Sequence, residues 1–147
     1  MWAVMSLWLR ILLPVKNNAS KIVAAVLAQH ADVTLTDVNM NPAHSGFLRY
    51  AILMGARIHI LDQRWVGDEP VSNLRIQHAK QLQAIEVREE HISTLETELP
   101  LLHFMAQYAK GTSVFPDPSE PSGKRIIVGD PSLLPKIRPH LKELLHV

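Results

Sequence analysis

Residues 17–30, "NNASKIVAAVLAQH", space Ala19, Ile22, Val23, Val26 and Leu27 at intervals of three and four, the signature of one helical face. Asn17 or Asn18 can accept from the free N–H groups of the first turn, so this stretch is expected to be a helix. In "VTLTDV" the period drops to two through Val33 and Leu35, which predicts a strand with one buried face. "NPAHSGFLRYAILMGA" returns to helical spacing. Asn41 is a good cap, Pro42 suits the first helical position, Phe47, Leu48, Ala51 and Ile52 form the apolar face, and Gly55 can end the helix.

"RIHIL", "VSNLRIQ" and "LQAIEV" read as three short strands parted by the polar turns "DQRWVGDEP" and "HAKQ". Pro100 pushes the residue before it away from helical geometry, so the next helix is expected to begin at Pro100 rather than Ile92, with Glu96 to Leu99 as its entry loop. Leu101, Leu102, Met105, Ala106 and Ala109 keep helical spacing, and "KGTSVF" reads as a stop followed by a strand. After the proline-rich turn "PDPSEPSG" come a strand, "RIIVG", and a last helix, "SLLPKIRPHLKELLHV", interrupted by Pro135 and Pro139.

Strands alternating with amphipathic helices predict the α/β (α+β) class, with mixed rather than purely parallel sheets. A chain of 147 residues is long enough for one cooperative domain. Residues 1–116 read as its main part, and 117–147 as a strand–helix tail of different composition packed on the same domain. The apolar start, "MWAVMSLWLRILLPV", is broken by Arg10, lacks a basic leader and a small-residue cleavage site, and is shorter than the roughly 18 apolar residues of a membrane span. It is expected to form a buried strand.

A net charge of +1 provides no field to steer nucleic acid or an anionic membrane, so neither is an expected partner. With no cysteine there are no disulfides and no thiolate chemistry, and a cytoplasmic location is expected. The eight histidines show no His-x-x-x-His or His-Glu-x-x-His spacing, and neither a metal nor a cofactor is expected. Lys136, Arg138, His140 and Lys142 form a small basic group on the last helix, read as cations favoured near a helix C-terminus. No Gly-rich phosphate loop or Gly-x-Ser-x-Gly elbow is present.

Three stretches, in order, resemble the enolpyruvate transferases of the 5-enolpyruvylshikimate-3-phosphate synthase family. "VTLTDVNMNPAHSGFLRYAILMGARIHI" is similar to that family's strand, Asn-Pro-x-Arg-x-Gly turn, helix and Met-Gly-Ala strand. "GDEPVSNLRIQ" is similar to its Gly-Glu-Pro-Val segment, and "STLETELPLLHFMAQYAKGTS" to its Ile-Asp-Glu-x-Pro loop, apolar helix and Gly-Thr strand start. The resemblance runs over about residues 16–115. It implies βαβαββ units, about two of them here, of an inside-out α/β barrel with helices within and sheets outside. It also implies transfer of enolpyruvate from phosphoenolpyruvate to shikimate 3-phosphate, small anionic substrates, and a second lobe that closes on them.

The same resemblance places Thr97 where the family has its proton-transferring aspartate, with Glu98 matching the next acidic residue and Glu96 one step displaced. A threonine cannot act as a carboxylate base. The plain reading of the two glutamates, as solvated carboxylates favouring a helix N-terminus, outweighs a catalytic one. The family's phosphate-holding Ser-Ser pair falls near "KNNAS", where Lys16, Asn18 and Ser20 are the candidate donors at a helix N-terminus. His44 stands for the turn's arginine, and "VFPDPSEPSGKRIIVG" replaces the Lys-Glu-Ser/Thr-Asp-Arg segment, with Lys124 and Arg125 matching only in charge. Joining two anions needs a basic cluster plus a positioned acid and base, so the chain alone is expected to be an inactive, truncated relative. The alternative expectation is a non-catalytic binding or assembly module, forming a homo-oligomer or pairing with a complementary lobe.

Overall fold

The computed structural model describes residues 18–41, 46–95 and 98–145, with side chains described between 19 and 141. The apolar N-terminal run with its expected strand, Pro42, His44, Lys16, Glu96 and Thr97 lie outside the described residues.

Helix α1 (Asn18–Leu27) is buried all round rather than along one stripe: Ile22 to Ala28 are each at most 2% exposed. The alanines at 24, 25 and 28 fill the face that the apolar spacing left unassigned, and their small side chains let neighbouring elements approach closely. It packs on strand β1 (Asp32–Asn39) and, through its other faces, on elements further along the chain. Helix α2 (Gly46–Leu53) ends as expected, with Gly55 at φ +106° and the Ala56 N–H reaching back to the Ala51 carbonyl at 3.0 Å.

Strands β2 (Arg57–Val66) and β3 (Glu69–Gln77) form a hairpin, and β1 pairs with the far side of β3, giving an antiparallel sheet of order β1-β3-β2. "DQRWVGDEP" is therefore not a long turn. Asp62 to Val66 continue β2, and only Gly67 and Asp68 turn. The polar composition reflects an edge strand wet on most of its length, which single-sequence reading takes for a loop. β1 and β2 bulge opposite neighbouring residues of β3, at Asp37 opposite Asn73 and at Asp62 opposite Ser72, both with positive φ. Asn73 spans the two bulges, accepting from the Asp37 N–H at 3.2 Å and donating Nδ2 to Asp62 Oδ2 at 3.0 Å. Arg64 closes the cluster by donating to the Asp37 carboxylate and to the Asp62 carbonyl.

"LQAIEV" is an extended segment rather than a regular strand. It runs parallel to β4 (Gly111–Pro116) and bridges it only at Gln83–Lys110 and Glu86–Val114. Between the two bridges three residues, 111–113, stand against two, Ala84 and Ile85, and the buried Ser113 Oγ accepts the Ile85 N–H that the ladder leaves over. Helix α3 (Leu99–Ala106) starts one residue before Pro100, follows a 3-10 turn at Glu89–Thr94, and buries Leu101 to Ala106 between α1, α2 and the β4 hairpin. β5 (Lys124–Gly129) completes that hairpin. Helix α4 (Leu134–Leu145) takes Pro135 into its first turn, keeps Pro139 inside, and sends Ile137 and Leu141 into the same core as α1. One of its expected basic residues has a partner elsewhere: Arg138 Nε donates to the carbonyl of Leu27, the last residue of α1, at 3.3 Å.

Candidate functional site

The first and third family-like stretches meet where α2 begins. A Cβ on Gly46 would lie 2.2 Å from Thr94 Oγ1, so the backbone of α2 rests directly on the end of the 3-10 turn, just before Leu95. Only glycine permits that approach. One turn along α2, Tyr50 is 2% exposed, and its Oη lies 2.5 Å from His91 Nδ1. Arg49 Nη1 reaches His91 Nε2 at 3.1 Å. Arginine only donates, so Nε2 accepts, and Nδ1 carries the proton and donates to Tyr50 Oη. That oxygen also accepts the Arg88 N–H at 3.1 Å. Arg49, Tyr50 and His91 thus clamp the 3-10 turn to α2.

Of the expected site residues, Glu98 is partly exposed at the N-terminus of α3, and its side chain makes no capping bond there; its carbonyl accepts from the Leu101 N–H at 2.9 Å. Asn18 opens α1. Ser20 lies in the first turn of α1 and is 5% exposed, so it is part of the packed interior. Lys16, Glu96 and Thr97 are outside the described residues.

Beside the 3-10 turn, a cavity of about 540 Å³ opens between residues 86–89 and the tip of the β4–β5 hairpin. Arg88 and Lys124 line it with Glu86, Glu89 and Asp117. Arg88 is paired with Glu90 at 3.2 Å, and Asp117 is held below the usual carboxylate range first by hydrogen bonds from Ser119. The lining carries both signs of charge, where a site for two anions calls for a surplus of cations.

Under the same hairpin His103, 8% exposed, stands edge-on to Phe115 with ring centroids 4.4 Å apart. Arg125 Nη1 faces its Nδ1 at 3.4 Å, so Nδ1 accepts and the proton sits on Nε2, which finds no partner among the described residues. Burial first, then the Arg125 charge, push the imidazole pKa from 6.5 down to about 4. Among the described residues no group of three His, Asp or Glu side chains stands close enough to hold a metal ion, and no helix is long and apolar enough to cross a membrane.

The sequence model of EPSP synthase (3-phosphoshikimate 1-carboxyvinyltransferase) matches residues 16–125. The chain belongs to the EPSP synthase family. It is 38% identical over 106 residues to the 3-phosphoshikimate 1-carboxyvinyltransferase of Ruthia magnifica subsp. Calyptogena magnifica, covering 72% of this chain and 24% of that protein. The same coverage holds for the enzymes of that name from Desulforamulus reducens, at 38% identity, and Staphylococcus aureus strain JH9, at 34%. A structure of EPSP synthase from Acinetobacter baumannii matches with a TM-score of 0.63 at 28% identity, over 71% of this chain and 24% of that one. The chain spans about a quarter of the length of the curated relatives it matches.

All three family-like stretches fall within the EPSP synthase match. The mixed α/β architecture described above is the part of the EPSP synthase fold that this chain shares. Tyr50, Arg49 and His91 were not legible as a group, since Tyr50 and His91 stand 41 positions apart with a β-hairpin between them. The adjacency of Arg49 and Tyr50 on a helix is too common a pattern to have signalled it.

Proposed function

We propose that this chain carries one face of an enolpyruvyl-transfer site and does not by itself convert phosphoenolpyruvate and shikimate 3-phosphate. The observation that supports this reading most is the match over residues 16–125 combined with a threonine, Thr97, at the position the resemblance gives to the proton-transferring aspartate. The contact of Gly46 with Thr94 adds to it, because it sets the residue that follows the Asn-Pro motif in the described chain against the turn that precedes Glu96, Thr97 and Glu98. Lys16 and Asn18 are the residues we assign to a substrate phosphate at the α1 N-terminus, with Ser20 buried behind them in the first turn.

On this reading residues 1–116 make up about two βαβαββ units of the inside-out barrel, with 117–147 as a tail packed against them. On the 3-10 turn the Arg88 charge is offset by Glu90, while Arg49, bonded to a neutral imidazole, keeps its charge, which is less than two anionic substrates call for. The test is calorimetric titration with shikimate 3-phosphate and with phosphoenolpyruvate at millimolar concentration, followed by an assay of phosphate release. Phosphate released by the chain alone would overturn the proposal. Heat from shikimate 3-phosphate without release is the result expected if the phosphate-holding face is intact. Thr97→Asp is expected to leave phosphate release at background, because one carboxylate does not replace the missing cations.

A further inference from the structure

We propose that β5 is a self-pairing edge: two copies of this chain join β5 to β5 antiparallel, extending the β4–β5 hairpin into a four-stranded sheet. The backbone sets the polarity of that edge. Val114, opposite Ile126, uses its N–H and C=O on Ile85 and Val87 at 3.0 and 2.9 Å, so 114–126 is a non-hydrogen-bonded pair. The N–H and C=O of Ile126, and by the same alternation those of Val128, therefore face away from β4 and have no partner among the described residues.

The side chains mark the same edge. Ile126 is 62% and Val128 75% exposed, a pair of β-branched apolar residues standing on the outer face of a six-residue strand. Edge strands are ordinarily blunted by charge, proline or a bulge, and none of these interrupts residues 126–128. On the inner face there is no comparable room: a Cβ on Gly129 would lie 1.9 Å from the Ala109 carbonyl.

Charge selects the occupant and the register. With Ile127 opposite Ile127 on the two-fold axis, Ile126 lies opposite Val128 of the second copy, and Lys124 opposite its Asp130. Each relation repeats by symmetry, so the contact has an apolar centre of four side chains and an opposite-charge pair at each end. Lys124 and Asp130 are both exposed; Lys124 opens β5, and Asp130 lies one residue past its end, where its N–H is bonded to the Gln107 carbonyl at 2.8 Å. Sliding by two residues in either direction loses both pairs, setting Lys124 against Val128 or Ile126 against Asp130. The area is smaller than a standard interface, so the dimer is weak, with Kd on the order of 100 µM.

The experiment is sedimentation equilibrium of the full chain from about 10 µM to about 1 mM. A monomer throughout that range overturns the proposal. Lys124→Glu and Asp130→Lys are each expected to weaken self-association at least about tenfold, because each sets like charges opposite one another. A one-to-one mixture of the two variants is expected to recover it, since both end pairs are then opposite in sign. Singles that associate as well as the parent, or a mixture that stays monomeric, overturn the register. Because Asp130 also caps the 3-10 turn through Ser132, a second route avoids it. The chain has no cysteine, so Ile127→Cys is expected to form a disulfide dimer on mild oxidation, whereas Ile126→Cys, placed opposite Val128, is not. Equal yields from the two would also count against the pairing.

Discussion

Gly46 and Thr94 are in backbone-to-side-chain contact, with the position of a Gly46 Cβ only 2.2 Å from Thr94 Oγ1 and 3.1 Å from the Thr94 carbonyl. Thr94 cannot turn aside freely, because its hydroxyl donates to the His91 carbonyl at 2.7 Å. Gly46→Ala is expected to cost about 1–3 kcal/mol in urea unfolding, through overpacking and loss of that bond. Adding Thr94→Ala should recover part of the loss. A Gly46→Ala protein as stable as the parent would remove the contact's role in holding α2 against the loop.

Tyr50 Oη is the shared acceptor for His91 Nδ1 and the Arg88 N–H. Tyr50→Phe keeps the ring and strands both donors, so a loss of about 1–3 kcal/mol is expected. Hydrogen exchange should show faster opening of the Arg88 amide, while β3 amides stay protected. An unchanged Arg88 amide would mean the clamp does not hold the 3-10 turn.

His103 makes stability depend on pH in a defined window. Its folded-state pKa, about 4, lies below its ordinary 6.5, so the unfolded chain takes up a proton that the native one refuses. The stability associated with the neutral ring is complete above pH 6.5, falls as the pH drops toward 4, and is flat below that. Allowing for solvent screening, roughly 2 kcal/mol is expected to be lost across the window. His103→Leu should flatten this part of the profile and, by removing a buried N–H without a partner, be more stable than the parent at pH 5. Parallel profiles for the two proteins would refute the assignment.

Gly129 faces main chain rather than side chain. A Cβ there meets the carbonyls of Ala109 and Ala106 at 1.9 and 2.6 Å, and α3 cannot retreat without opening the core. Gly129→Ala is expected to cost at least about 3 kcal/mol, read from the urea midpoint. By comparison, Arg138→Ala removes one charge-assisted bond to the end of α1 and should cost about 1 kcal/mol.

The helices and their limits follow from local rules. The Ala19–Leu27 spacing, the Gly55 stop and the effect of Pro100 each depend on a few neighbouring residues, and the observed start of α1, end of α2 and start of α3 agree with them to within about two residues. The family relationship was equally legible, because order and spacing of short stretches survive when single site residues change. What local rules missed depended on position in the sheet. A polar edge strand looks like a loop until β3 pairs with it, and "LQAIEV" looks like a strand until Ser113 takes one of its amides.

The order of hydrophobic and polar positions was enough to specify the mixed α/β class, and the order of three short family-like stretches the kinship, since each is written in consecutive residues. It could not specify that Ala24, Ala25 and Ala28 are buried, that His91 meets Tyr50, that Arg138 caps a helix more than a hundred residues earlier, or that β5 pairs only with β4 among the described residues. Those are relations between elements far apart in the chain. They are decided only when packing brings the elements together and burial drives most polar groups to find a partner.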